Sequence, residues 1–158
     1  DDCTEDCSTV AGYMFTMTNE NTAGKQIKIK SVTARHKKPK NSRTVELYCA
    51  NGSHEGIETD PTKWKKCGNT KLARRQNWDT AIELDSAIRV NHGESIAIHV
   101  KTEEKVLIVK KNKRQKHETH DGKVGLFMGT SVANAVMGTL EEGVQGDVQI
   151  QYEITKKR

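Results

Sequence analysis

The residues with most chemical potential in this 158-residue chain lie between Val45 and Cys67, a strand-like run, a loop punctuated by Asn, Gly and Pro, and a second cysteine. Four cysteines, Cys3, Cys7, Cys49 and Cys67, allow three pairings. Tetrahedral zinc usually takes close pairs two to four residues apart. Cys3 and Cys7 could supply one such pair, but Cys49 and Cys67 are too distant in sequence to supply the other. Disulfide chemistry is therefore expected, with Cys49 joined to Cys67 across the loop and Cys3 to Cys7 in a small local ring. A bond from Cys3 or Cys7 to either of the others would instead tie the acidic N-terminal segment to the rest of the chain. Spacing does not choose between these.

Other groups in the same loop invite separate readings. Asn51-Gly52-Ser53 is an acceptor triplet for N-glycosylation, and Asn-Gly is equally a turn dipeptide. Glu55, Glu58 and Asp60 could offer hard oxygen ligands to Ca²⁺, the one cofactor the sequence suggests. Lys63, Lys65 and Lys66 offset their field, so turn capping or pairing with those lysines is the favoured alternative. His117-Glu118-Thr119-His120 has two histidines three apart, whereas the zinc-protease pattern needs them four apart on a helix. Glu103-Glu104 and Glu141-Glu142 are adjacent, so in extended structure each pair splits between opposite faces and makes no acid/base dyad. With no nucleophile elbow, phosphate loop or dinucleotide fingerprint in the sequence either, a non-enzyme is expected.

Charge is the second clue. The formal net charge of +5 is concentrated in loops: Arg35, Lys37, Lys38, Lys40 and Arg43 in one, Lys110, Lys111, Lys113, Arg114 and Lys116 in another, and Lys156-Lys157-Arg158 at the end. Such clusters would favour an anionic polysaccharide or another extracellular anionic surface, with binding weakened by salt. Nucleic acid is not expected, because a single-strand binder interleaves its cations with stacking aromatics. Trp64 and Trp78 lie near basic residues, but a tryptophan at a loop-to-strand junction more often packs under the loop.

The elements that must carry these groups read as strands. Ile27-Lys28-Ile29-Lys30-Ser31-Val32, Val45-Glu46-Leu47-Tyr48, Ile96-Ala97-Ile98-His99-Val100 and Val148 to Ile154 alternate apolar with polar, one face toward a core and one toward water. Val106-Leu107-Ile108-Val109 is continuously apolar and should be a central strand covered on both faces. Asn51-Gly52, Asn91-His92-Gly93, Asp121-Gly122, Gly143 and Gly146 supply turns. Thr130 to Glu142 has apolar residues at helical spacing, a pattern that suits either a helix or an irregular crossover. With 34% hydrophobic and 4% aromatic residues against 30% charged, a thin two-layer core is expected. The expected fold is all-β, an antiparallel two-sheet β-sandwich, jelly-roll-like, with long loops. Its parts are an acidic Cys-containing arm (1–11), one domain (12–155) and a basic tail (156–158).

Disulfides point to a secreted or cell-surface protein, and no apolar run is long enough to span a bilayer as a helix. A chain that opens at Asp1 with no visible signal peptide is expected to be a mature form from which the targeting segment has been removed, or one that omits it.

Tyr13-Met14-Phe15-Thr16-Met17, Ile27-Lys28-Ile29, Thr44-Val45-Glu46-Leu47-Tyr48, Gly52 to Glu58 and Asp60-Pro61-Thr62-Lys63-Trp64 form an ordered series. It continues through Gly93 to Val100, Gly125-Leu126-Phe127 and Asp147 to Ile154. The series resembles a secreted domain found, often repeated, in diatom and other stramenopile cell-surface proteins. The resemblance implies a β-sandwich module of extracellular proteins. The chain departs from that pattern where His54 replaces an aromatic residue, where cysteines flank the loop, and where Lys and Arg replace a neutral surface. Two functions follow as expectations: a matrix or binding module that uses basic loops, or a structural subunit that self-associates through edge strands or its N-terminal arm.

Overall fold

The computed structural model of the chain describes residues 7–20, 24–53, 56–57, 60–73, 79–111, 117–120, 124–132, 140–142, 144–146 and 148–156. Thirteen strands are described: β1 (Cys7–Val10), β2 (Gly12–Asn19), β3 (Lys25–Arg35), β4 (Arg43–Asn51), β5 (Lys65–Leu72), β6 (Asp79–Val90), β7 (Ser95–Lys101), β8 (Leu107–Lys111), β9 (His117–His120), β10 (Val124–Val132), β11 (Leu140–Glu142), β12 (Val144–Gly146) and β13 (Val148–Lys156). A single 3-10 turn, Pro61–Lys63, interrupts them. All pairings are antiparallel.

One long sheet runs β11, β10, β2, β7, β4, β5, β6, β3, β13, with β9 also on β10, and a small sheet runs β1, β8, β12. The long sheet has a narrow point. β5 and β6 share only the pairs Gly68 with Leu84 and Asn69 with Glu83. Around that point β6 departs from regular pairing with β3, which passes from Ile29 opposite Ile88 to Ser31 opposite Glu83. Gly68 is required by close approach: a Cβ there would run into the Glu83 carbonyl oxygen and lie 3.2 Å from the Leu84 Cα. The Thr70 hydroxyl reinforces the junction, donating to the Ala81 carbonyl and accepting from the Glu83 amide.

Residues from both sides of this seam meet in one core. Phe15, Leu47, Ile98 and Leu72 from one side, Ile27, Ile29, Val32 and Ile82 from the other, and Leu107 and Val109 from the small sheet are all fully buried. Truncating a side chain of this kind to alanine costs about 2–5 kcal/mol. The apolar run at 106–109 is buried throughout and lies in the middle strand of its sheet, as its composition requires.

Three expected elements take the following form. Thr130 to Glu142 contains no described helical residue: Thr130–Val132 ends β10, Leu140–Glu142 forms β11, and the two pair directly. Intervening residues 133–139 lie outside the described residues. Of the residues at helical spacing, Ala133, Val136 and Met137 fall in that stretch, and Leu140 lies in β11. The half-exposed strand expected at Ile96 to Val100 is buried on both faces: Ile96, Ile98 and Val100 join the core, while on the other face Ala97 is buried and His99 lies against Tyr48 and Trp64. The N-terminal segment is described from Cys7, and there it is β1, paired with β8, with Val10 and Ala11 buried. At the other end Lys156 is the last residue of β13. Among the described residues no helix is long and apolar enough to cross a membrane.

Candidate functional site

The loop that follows β3 is held at several points. His36 is fully buried, bridges to Leu107, and has its Nδ1 2.9 Å from the Lys37 carbonyl oxygen. The Lys37 amide donates to the Val106 carbonyl at 2.8 Å, Pro39 is buried, and the Lys40 amide donates to Glu104 Oε1 at 3.3 Å. These contacts consume backbone groups and leave the side chains of Lys37, Lys38 and Lys40 exposed. Lys105, on the neighbouring turn, is exposed as well. A loop pinned in this way presents its ammonium groups with little backbone entropy left to lose on binding.

Arg43, expected to join that cluster, points elsewhere in its pairing. Its guanidinium lies 3.5 Å from Glu104 and 3.9 Å from Glu103, so its charge is offset within the fold. Arg35 is half-buried at the end of β3. Lys110 and Lys111 end β8 three and four residues beyond Leu107, roughly 10–13 Å along the strand at about 3.3 Å per residue. The 37–40 loop thus lies beside the start of β8, and Lys110 and Lys111 lie at its end. Lys113, Arg114 and Lys116 lie outside the described residues.

The second candidate region is the loop between the paired cysteines. Cys49 and Cys67 form the expected disulfide, with their Cα atoms 6.2 Å apart across the β4–β5 pair. Cys3 lies outside the described residues. Asp60 caps the 3-10 turn: its Oδ1 accepts from the Thr62 amide at 3.0 Å and from the Thr62 hydroxyl at 2.6 Å. Those bonds hold the Asp60 carboxyl below its ordinary range. Glu55 and Glu58 lie outside the described residues, and among the described residues no group of three metal-ligating side chains occurs. Asn51 is exposed at the end of β4, followed by Gly52 at φ 91°, so the acceptor triplet occupies a real turn at the surface.

Behind this loop is a cluster that the sequence did not announce. Trp64 donates its indole N–H to the Ile57 carbonyl at 3.0 Å and sets its ring edge-on to His99, with centroids 5.7 Å apart. Tyr48, opposite His99 in the β4–β7 register, lies 6.0 Å away on the same histidine. Lys101 sits 5.5 Å over the Tyr48 ring. Glu46 pairs with Lys66 at 2.9 Å, and that bond holds the Glu46 carboxyl below its usual range. Burial and the nearby Glu46 charge raise the Tyr48 phenol. Burial, reinforced by Lys101, pushes His99 down to about 4, so it is neutral at physiological pH. Its Nε2 has no hydrogen-bond partner and faces Gly12, where an added Cβ would lie 3.1 Å away. Trp64 therefore packs under its loop as expected, while Trp78 lies outside the described residues. The signal for His99 was its place at mid-strand, two residues before Lys101, but its burial depended on neighbouring strands.

No protein-family model matches the chain, and no curated protein matches it. Among solved structures it is similar to the cysteine protease and lectin-like domains of Cwp84, a surface layer associated protein of Clostridium difficile. That similarity has a TM-score of 0.49 and 10% sequence identity, and it covers 100% of this chain and 37% of that one.

Proposed function

We propose that this chain is a secreted, non-enzymatic binding module that grips an anionic polymer, a sulfated or carboxylated polysaccharide in the first instance, through the lysines of the 37–40 loop. The observation that carries this reading is a loop whose backbone is fastened to Val106 and Glu104 while its three ammonium groups stay exposed. The reading also includes Lys110 and Lys111, the last two residues of β8. The Cys49–Cys67 disulfide supports an oxidising compartment, and with it an extracellular or cell-surface location. An N-glycan on Asn51 suits that location and would leave the lysine loop clear. The same reading takes the long sheet to fold at the β5–β6 seam into two facing layers, the jelly-roll-like sandwich expected from the sequence, and the core shared across the seam supports it. It also takes up the resemblance of the motif series to secreted stramenopile surface domains.

Chromatography on an immobilised sulfated polysaccharide tests the proposal. The native chain should elute at higher salt than from a sulfonate resin of equal charge density, and replacing Lys37, Lys38 and Lys40 by glutamine should remove that difference. Retention unchanged by the triple substitution would overturn it.

A further inference from the structure

We propose that β13 is an interface for a second copy of this chain, the two copies pairing their β13 strands antiparallel about a two-fold axis at Tyr152 to continue the long sheet from one molecule into the next. This inference concerns a different surface from the lysine loop and does not rest on it.

β13 ends the strand order of the long sheet, and its described pairing is with β3 alone. A strand so placed offers a row of backbone donors and acceptors on its open side. The side chains show what is missing there. On β3 the core-facing Ile27, Ile29, Val32 and Ala34 are completely buried. On β13 Val148, Ile150, Tyr152 and Ile154, which lie in register with that row, remain half-exposed. A strand laid along β13 would finish burying them. Proline, the simplest guard of an edge, does not occur in Val148–Lys156. A register irregularity against β3 between Gln151 and Tyr152 leaves the strand's nine residues continuous.

The occupant follows from self-complementarity. With the axis at Tyr152, the centre of the strand, all nine residues pair: Tyr152 with its own copy, Ile150 with Ile154, Gln149 with Thr155, Val148 with Lys156 and Gln151 with Glu153. Shifting the axis by one residue either way shortens the paired segment. On the core face Ile150 then meets Ile154 and Tyr152 its own copy, Val148 lies opposite Lys156 at the ends, and no like charges oppose each other. Gln151 Oε1 already accepts from Ser31 at 2.8 Å and Thr33 at 3.0 Å, and its NH₂ takes no part in those bonds. It can donate to the Glu153 carboxylate of the second copy. Glu153 is kept ionised by Lys30 at 3.0 Å and Lys28 at 3.8 Å.

Size-exclusion chromatography with light scattering over a concentration series reads the state directly. The native chain should show the mass of two chains at high concentration. Gln151→Glu keeps the oxygens that accept from Ser31 and Thr33 but sets a carboxylate against Glu153 twice across the axis, which should raise the dimer dissociation constant roughly tenfold. Adding Glu153→Gln restores an amide–carboxylate pair and should restore the dimer. A native chain that stays monomeric throughout its soluble range overturns the inference, as does a folded Gln151→Glu protein that dimerises as the native chain does. Should Gln151→Glu fail to fold by circular dichroism, the variant Gln149→Cys/Thr155→Cys decides. These positions lie about 20 Å apart within one strand but face each other between copies. An interchain disulfide between positions 149 and 155 is the expected product, and its absence under oxidising conditions refutes the register.

Discussion

Two loops of this protein carry charge at the same edge of sequence space yet are built in opposite ways. The Asp60–Trp64 segment that leads into Cys67 spends its polar groups on itself: Asp60 on Thr62, the Trp64 indole on Ile57, and the thiols on each other. The 37–40 loop spends its backbone instead, on Val106 and Glu104, and keeps its side chains outward. The lesson concerns where binding capacity resides. Distinctive residues at distinctive spacing mark a loop that the fold needs, and exposed residues on a fastened backbone mark a loop free to meet something else.

The largest test of that contrast removes the staple. Cys49→Ser/Cys67→Ser should lower unfolding free energy by about 3 kcal/mol, because the loop it closes spans 18 residues in sequence separation. Denaturant titration measures this, and polysaccharide retention of the folded variant should be unchanged. A matching loss of retention would mean that the two loops act together.

Acid should produce a comparable effect on the same side. His99 has a folded pKa of about 4, below its unfolded value near 6.5. Its contribution is therefore present above pH 6.5 and is lost as pH falls from 6.5 toward 4, where the unfolded chain binds the proton and the folded chain resists it. That loss is at most about 3 kcal/mol, and it should be visible as a falling urea midpoint between pH 7 and pH 4.5. In His99→Gln the slope over this interval should flatten; an unchanged slope would assign it to other groups.

Charge reversal in the open loop should do the converse. Lys37→Glu/Lys38→Glu/Lys40→Glu is expected to weaken polysaccharide binding roughly tenfold, or about 1.4 kcal/mol, at low salt, with a melting temperature close to that of the parent. Arg43→Gln should weaken binding far less, since Glu103 and Glu104 already offset that charge. The smallest effect is expected from Asp60→Ala, which uncaps an exposed 3-10 turn and should lower the melting temperature slightly without changing retention.

Much of this was legible along the chain, for reasons that particular residues show. The alternation in Ile27 to Val32, Val45 to Tyr48 and Val148 to Ile154 marked β3, β4 and β13, because a strand feels its two faces every second residue. Gly52 and Gly93 have positive φ at turns that their Asn-containing motifs announced. β6 was harder to see, since exposed Ser86 interrupts its alternation between Ile82, Leu84 and Ile88, Val90 where the strand departs from β3. The lysines of the 37–40 loop were legible as charge, but their rigidity was not, because it comes from Val106 and Glu104 more than sixty residues away.

By itself the sequence determined the all-β class and the placement of cations in loops, which follow from local periodicity and from the cost of burying ammonium groups. It favoured Cys49 with Cys67 but left the other pairings open, and the structure chose. Tertiary structure alone decided that Arg43 is matched by Glu104, that His99 lies neutral beneath Trp64 and Tyr48, and that β13 stands at the end of a sheet. Each of these depends on which strand becomes whose neighbour, a choice made by the shared core and not written in the spacing of any one segment.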